Sequence, residues 1–415
     1  MAILNIISRH ATEAAFLWLL RSMAVNQPHY SLKDLARLDD RLEAHLDGLR
    51  IAGDEGWDIC KGELSFNEPG EIFTAAVLAF ESKKDERIRE VLNKALQSPD
   101  LLKSVISALG WIKYKDVMEY IGQFWFESEP LLQLIGIAAS AVHRMDPPDE
   151  VLLDSLKNAD LQLKLRALKA AGELGKVNML PYLQNGFRDE IPLISYYAAK
   201  SAVLLGNQNA PYLLKEMLDK LEKPYAEDAL RLGIRKMNLS YAHSWTNELK
   251  EKPAQLRLAV ISAGAAGDPA EIPWIMEMMK NGQIARIAGE SFSMITGADL
   301  AYENLDKSLP EELNNGPTED PEDENTELDA DENLPMPDPE IVNKWWDSNK
   351  SRFKNGTRYL AGVPVASETM RQVLITGYQR QRTQAALELA MLRPGEKLFN
   401  TKAPGPKQKY ELSVK

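Results

Sequence analysis

The chain has 415 residues, a formal net charge of −12 and a pI near 5.2. That balance argues against broad binding to a phosphate backbone, which needs a basic surface. The single cysteine, Cys60, excludes an internal disulfide and makes a reducing cytoplasm the expected compartment. The apolar run 14–20 lies between Glu13 and Arg21. It is too short for a membrane span and too late and charged for a signal peptide.

Residues 1–65 read as helical but out of phase with the rest of the chain. Leu4, Ile7, His10, Ala14, Leu17 and Leu20 make one apolar stripe. Ser31 caps a second helix through Leu35, Leu38, Leu42 and Leu46, and the pattern is expected to break at Asp47-Gly48-Leu49 and Gly53. This region is expected to form an N-terminal helical cap. His10 and Glu13 lie three apart on one helix. They could be ligand and base, or a half-buried histidine beside an acid, and the second reading is favoured.

Residues 66–302 carry a repeat of about 30 residues, with a first helix pair expected over 71–80 and 85–96. Pro181-Tyr182-Leu183 and Pro211-Tyr212-Leu213 are 30 residues apart, and Pro273-Trp274-Ile275 follows after 62 more. Helix starts are expected near Pro99, Pro130, Asp160, Pro192, Pro224 and Pro253, since proline suits a first helical turn. Gly110, Gly175, Gly206, Gly267 and Gly297 are expected to close units in the left-handed conformation. A fixed period of this size predicts an α-solenoid in which each helix pair buries its face on the next. The predicted class is therefore all-α, with short HEAT-like repeats and helical caps at both ends. Tyr182, Tyr212 and Trp274 occupy one repeat position. With Trp245 they are the candidate partner-binding residues; the competing reading, favoured for aromatic stripes at helical spacing, makes them the large core residue of each unit.

Residues 303–340 hold 15 acids and one base, Lys307, with prolines that stop regular structure. They read as an exposed, mobile linker. Asp329, Asp331, Asn333 and Glu340 match EF-hand ligand positions 1, 3, 5 and 12, but position 6 is Leu334, where the loop needs glycine. They are a weak calcium candidate. Residues 341–415 carry 14 Lys and Arg against five Asp and Glu. This basic segment is expected to act as a C-terminal cap and tail, with 341–390 packed on the last repeats.

No dinucleotide fingerprint, P-loop, zincin motif or nucleophile elbow is present, and the five histidines show no paired metal spacing. No cofactor, metal or catalytic residue is therefore predicted. The sequence alone leaves open a nucleophilic pairing of Cys60 with a distant histidine.

Residues 10–18 (HATEAAFLW), 35–53, Ala288-Gly289-Glu290 with Ile295-Thr296-Gly297, 331–337, Trp345-Trp346, 356–362 and 379–392 resemble a family of proteobacterial HEAT-like repeat proteins of uncharacterised function. Members tend to be encoded beside type VI secretion spike and effector genes. The resemblance implies an immunity protein that neutralises a secreted toxin, or an effector-loading adaptor, and supplies no binding residues. The acidic body suits capture of a basic toxin. The expected function is thus non-enzymatic protein binding, without nucleic acid or membrane. The alternatives are an adaptor, chaperone or scaffold, and a HEAT-like DNA-binding enzyme such as a glycosylase.

Overall fold

The structure is a computed structural model that describes residues 4–310, 329 and 331–414. It is all-α, with two short antiparallel strand pairs the only sheet among the described residues. It forms two compact units, Met1–Gly186 with Pro394–Lys415, and Phe187–Arg393. No helix among the described residues is long and apolar enough to cross a membrane.

In the first unit, α1 (Leu4–Ala24) packs on α2 (Leu32–Ala52) and α3 (Asp54–Glu63). Ser31 and Asp34 close a capping box at the start of α2, and the Ser31 hydroxyl holds the Asp34 carboxyl below its usual range. Contrary to the sequence expectation, α2 runs through Gly48. The reason is contact: the His10 ring lies 2.7 Å from where a Cβ at Gly48 would sit. The helix stops at Gly53, whose φ is +62°.

Helix pairs follow: α4 (Pro69–Ser82) with α5 (Asp85–Ala95), α6 (Pro99–Trp111) with α7 (Tyr114–Phe124), α8 (Pro130–His143) with α9 (Asp149–Lys157), and α10 (Leu161–Glu173) with the one-turn α11 (Leu180–Leu183). The first helices stack successively, α4 on α6, α6 on α8 and α8 on α10. They are buried on most faces; every residue from Ile72 to Phe80 in α4 is buried. The second helices bury a single stripe, such as Ile88, Val91, Leu92 and Ala95 of α5. Gly110 is not a cap but lies inside α6, where a side chain would strike Val142 of α8. The array predicted over 66–302 divides between the two units just after α11, its shortest second helix.

The second unit continues the pattern with α12 (Pro192–Leu204) and α13 (Ala210–Glu216), α14 (Lys223–Lys236) and α15 (Leu239–Lys250), α16 (Leu256–Ala266) and α17 (Ile272–Met278), and α18 (Ala285–Thr296). Again the first helices stack, α12 on α14, α14 on α16 and α16 on α18. Gly206, Gly267 and Gly297 have φ of +90°, +70° and +74°, as their capping role requires.

The flanks of the expected mobile linker are tied down. Strand β1 (Asp306–Lys307) pairs antiparallel with β2 (Met336–Pro337), Asp306 opposite Pro337 and Lys307 opposite Met336. Positions 311–328 and 330 of that expected linker lie outside the described residues. Then come α19 (Pro339–Asn349), the hairpin of β3 (Tyr359–Leu360) and β4 (Val363–Pro364), α20 (Ser367–Thr376) and α21 (Gln379–Leu392). They pack on the array helices of this unit: α19 on α17, β3 on α18, and α21 on α12 and α14. The main chain of the hairpin satisfies carbonyls at helix ends, with Tyr359 N donating to Gly267 O (2.8 Å), Ala361 N to Met294 O (2.7 Å) and Gly362 N to Ile295 O (3.1 Å).

The final segment returns to the first unit and is not a loose tail. Leu398 N donates to Glu173 O at 3.0 Å, and Asn400 Nδ2 to Val142 O at 3.0 Å. Arg21, only 6% exposed, donates to Asp39 Oδ1 (2.6 Å) and to the carbonyls of Lys402 and Ala403 (both 3.0 Å). Gly405 N then donates to Asp39 Oδ2 at 2.6 Å, which starts α22 (Gly405–Val414) against α2. Polar contacts with the helices thus hold this segment, which is poor in apolar residues.

Candidate functional site

The second unit contains a cleft of about 520 Å³ between two successive repeat junctions. One wall is the turn from α12 to α13, where Asn207 Oδ1 accepts from Asn209 N (2.9 Å) and Ala210 N (3.0 Å). The other is the turn from α14 to α15. There Met237 is extended and Asn238 caps α15, its Oδ1 accepting from Tyr241 N at 3.0 Å. Gln208, Asn209, Tyr212, Lys236, Asn238 and Arg358 line the space. Tyr212 and Tyr241, both exposed, meet edge to face beside it, ring centroids 5.6 Å apart.

The floor of the cleft is cationic. Arg235 donates to Glu388 Oε1 (3.0 Å) and Gln384 Oε1 (2.9 Å). Lys236 donates to Met391 O at 3.3 Å. Arg358 donates to Ala266 O (3.3 Å), Ile234 O (3.0 Å) and Met237 O. Among the described residues, then, Lys236 and Arg358 are satisfied by main-chain carbonyls and neither forms an ion pair. Burial pushes all three cations below their ordinary pKa, with Glu388 opposing that shift.

A second polar cluster sits on α15 and the turn before α17. His243 bonds Glu271 through Nδ1 (2.8 Å) and Asp268 through Nε2 (3.0 Å). Lys250 donates to Glu271 Oε2 (2.7 Å) and lies 4.3 Å from the Trp274 ring centroid. Gly356 N and Ala270 N both donate to Asp268. Both ring nitrogens of His243 are therefore engaged by carboxylate oxygens. The arrangement holds the 353–359 loop against the repeat.

Of the four sequence-predicted aromatics, Tyr182 belongs to the first unit and is exposed. Tyr212 lines the cleft. Trp274 is half-buried under Lys250. Trp245 is only 2% exposed and packs on Gly233, so it is a core residue and drops out as a partner contact. Sequence reading missed Lys236, Asn238, Tyr241 and Arg358. Tyr241 carried a signal, since it lies 29 residues after Tyr212, close to one repeat period.

The other candidates resolve into structural roles. Asp331 accepts from both ends of the Arg257 guanidinium (2.6 and 2.8 Å), and Asp329 pairs with Arg286. Burial opposes ionisation of Asp331, but the Arg257 fork prevails and holds its carboxyl below the usual range. Two of the three carboxylates proposed for calcium, Asp329 and Asp331, are thus engaged by arginines. Among the described residues no three histidine, cysteine or acidic side chains could share a metal ion. His10 meets His45, Nδ1 to Nδ1 at 3.1 Å, while Glu13 pairs with Arg9. Cys60 is 1% exposed and burial pushes its thiol well up, which opposes a nucleophilic role.

No protein-family model matches this chain, and a search of curated proteins finds no significant match.

Proposed function

We propose that the chain is a non-enzymatic protein-binding α-solenoid of short HEAT-like repeats. In line with the resemblance in its sequence, it serves in the cytoplasm as an immunity protein that binds and neutralises a type VI-secreted toxin. The single observation that carries the binding reading is the cleft between successive repeats of the second unit. It combines exposed aromatic rings with donors held at fixed positions by helix junctions. Rigid aromatics with a polar handle are favoured contacts at protein interfaces, and loops fixed by a rigid scaffold are where binding groups concentrate. The stacking of first helices in each unit supports the solenoid reading.

The test is co-expression with the product of the neighbouring gene. The chain should co-purify with it and restore growth. Binding without protection would favour the effector-loading adaptor, and neither binding nor protection would overturn the proposal.

A further inference from the structure

The cleft is cationic in a chain whose net charge is −12. Three cations, Arg235, Lys236 and Arg358, stand against two carboxylates, Glu388, which bears on all three, and Asp268, which bears on Arg358 and is also bonded to His243. Bringing cations together out of water is costly unless anions accompany them. Here the fold pairs Arg235 directly with Glu388, whereas the hydrogen-bond partners of Lys236 and Arg358 are carbonyl oxygens and the carboxylates act on them only at longer range. Carbonyls satisfy N–H donors without neutralising charge. The cluster therefore retains an excess of positive charge facing a space of about 520 Å³, large enough for a ligand of several residues.

Two further features share the polarity. Asn238 places the N-terminus of the twelve-residue α15 at the wall, adding the positive end of a helix dipole. The exposed amides of Gln208 and Asn209, with the Tyr212 ring, offer the hydrogen-bonding and stacking groups that a peptide main chain uses.

We infer that this cleft binds an acidic peptide segment of a protein partner, with a carboxylate seated between Lys236 and Arg358 and the flanking residues laid across Tyr212 and Tyr241. The inference rests on the protein-binding reading above and names the chemistry of that site. It also divides the labour of the surface: the acidic body attracts, whereas this cleft selects a carboxylate. Lys236 supplies the replaceable charge, being half-buried and bonded to a single carbonyl. Arg235 and Arg358 also hold helix ends and α21 in place.

The test is a titration of the full chain, by anisotropy, with a labelled peptide of about eight residues containing alternating Glu and Tyr. Its Gln-for-Glu counterpart and inorganic phosphate serve as comparison probes. Binding should be at least tenfold tighter for the Glu peptide than for the Gln peptide and should weaken as salt rises. Lys236→Gln should weaken it about tenfold, and Tyr212→Ala should weaken it while leaving the Glu preference intact. A Lys236→Gln chain with an unchanged melting midpoint and undiminished Glu-peptide affinity would overturn the inference. So would equal affinity for the two peptides, or binding of phosphate alone, which would mark a small-anion site. The two proposals fail separately. Should the toxin still bind and be neutralised by the Lys236→Gln chain with undiminished affinity, the carboxylate assignment falls and the immunity reading stands.

Discussion

Replacing Asp39 by alanine tests how the first unit is held together. Asp39 is 2% exposed and carries two roles. It pairs with the buried Arg21 and accepts from Gly405 N, the residue at which α22 begins. Asp39→Ala leaves Arg21 buried with only the Lys402 and Ala403 carbonyls and a Trp111 ring face 5.4 Å away. Removing one member of a buried ion pair costs about 3–5 kcal/mol, mostly because the other charge is left uncompensated. For a unit of about 200 residues that corresponds to a fall in melting midpoint on the order of 10 °C. Calorimetry gives the midpoint, and limited proteolysis reports whether residues 394–404 become cleavable first. The double substitution Arg21→Met with Asp39→Leu removes both charges and should cost less than Asp39→Ala alone. A midpoint within a degree of wild type, with the C-terminal segment still protected, would refute the idea that this pair anchors the segment.

Further outcomes are expected in the same unit and in the core. Burial, reinforced by Lys407, pushes His143 down to about 4, so the folded state binds fewer protons than the unfolded one between pH 4 and 6.5. Stability contributed by neutral His143 is lost as pH falls through that window, by at most about 3 kcal/mol, and His143→Gln should flatten this part of the urea-midpoint profile. Glu63 has the opposite sign: burial, with Glu71 nearby, raises it to about 7, so its stabilising contribution is lost as pH rises from 4.5 through 7. Glu63→Gln should therefore stabilise the chain at pH 8 relative to pH 5 when melting midpoints are compared. Cys60 should resist alkylation under native conditions and react only on unfolding, as timed by mass spectrometry. Trp245→Ala should cost about 3–5 kcal/mol of stability by chemical denaturation, whereas Tyr212→Ala, at an exposed ring, should cost less than about 1 kcal/mol.

The repeat is legible in the sequence because its punctuation is local. Pro99, Pro130, Pro192 and Pro224 each fall in the first two positions of a helix, and Asp160 caps α10. Pro253 opens a 3₁₀ turn just ahead of α16. Those features depend on residues close in sequence. Gly48 and Gly110 mislead for the converse reason: each is glycine because a distant side chain, His10 or Val142, needs the space. The C-terminal segment shows no apolar pattern that places it, yet Arg21 and Asp39 hold its backbone and its own Asn400 side chain donates to Val142 O, polar contacts that composition cannot reveal. The candidate site is half legible. Tyr212 stands out by repeat phase, but Trp245 shares the aromatic signal while filling the core. Lys236 and Arg358 are 122 positions apart and meet only because the hairpin of β3 and β4 folds back onto the ends of α14 and α16.

The most direct measurement is a growth-protection assay with the toxin candidate, comparing the native chain with a Tyr212→Ala, Tyr241→Ala double variant of matched melting midpoint. The native chain should protect, and the double variant should lose both protection and co-purification. Full protection by the double variant would contradict the claim that this cleft is where the chain meets its partner.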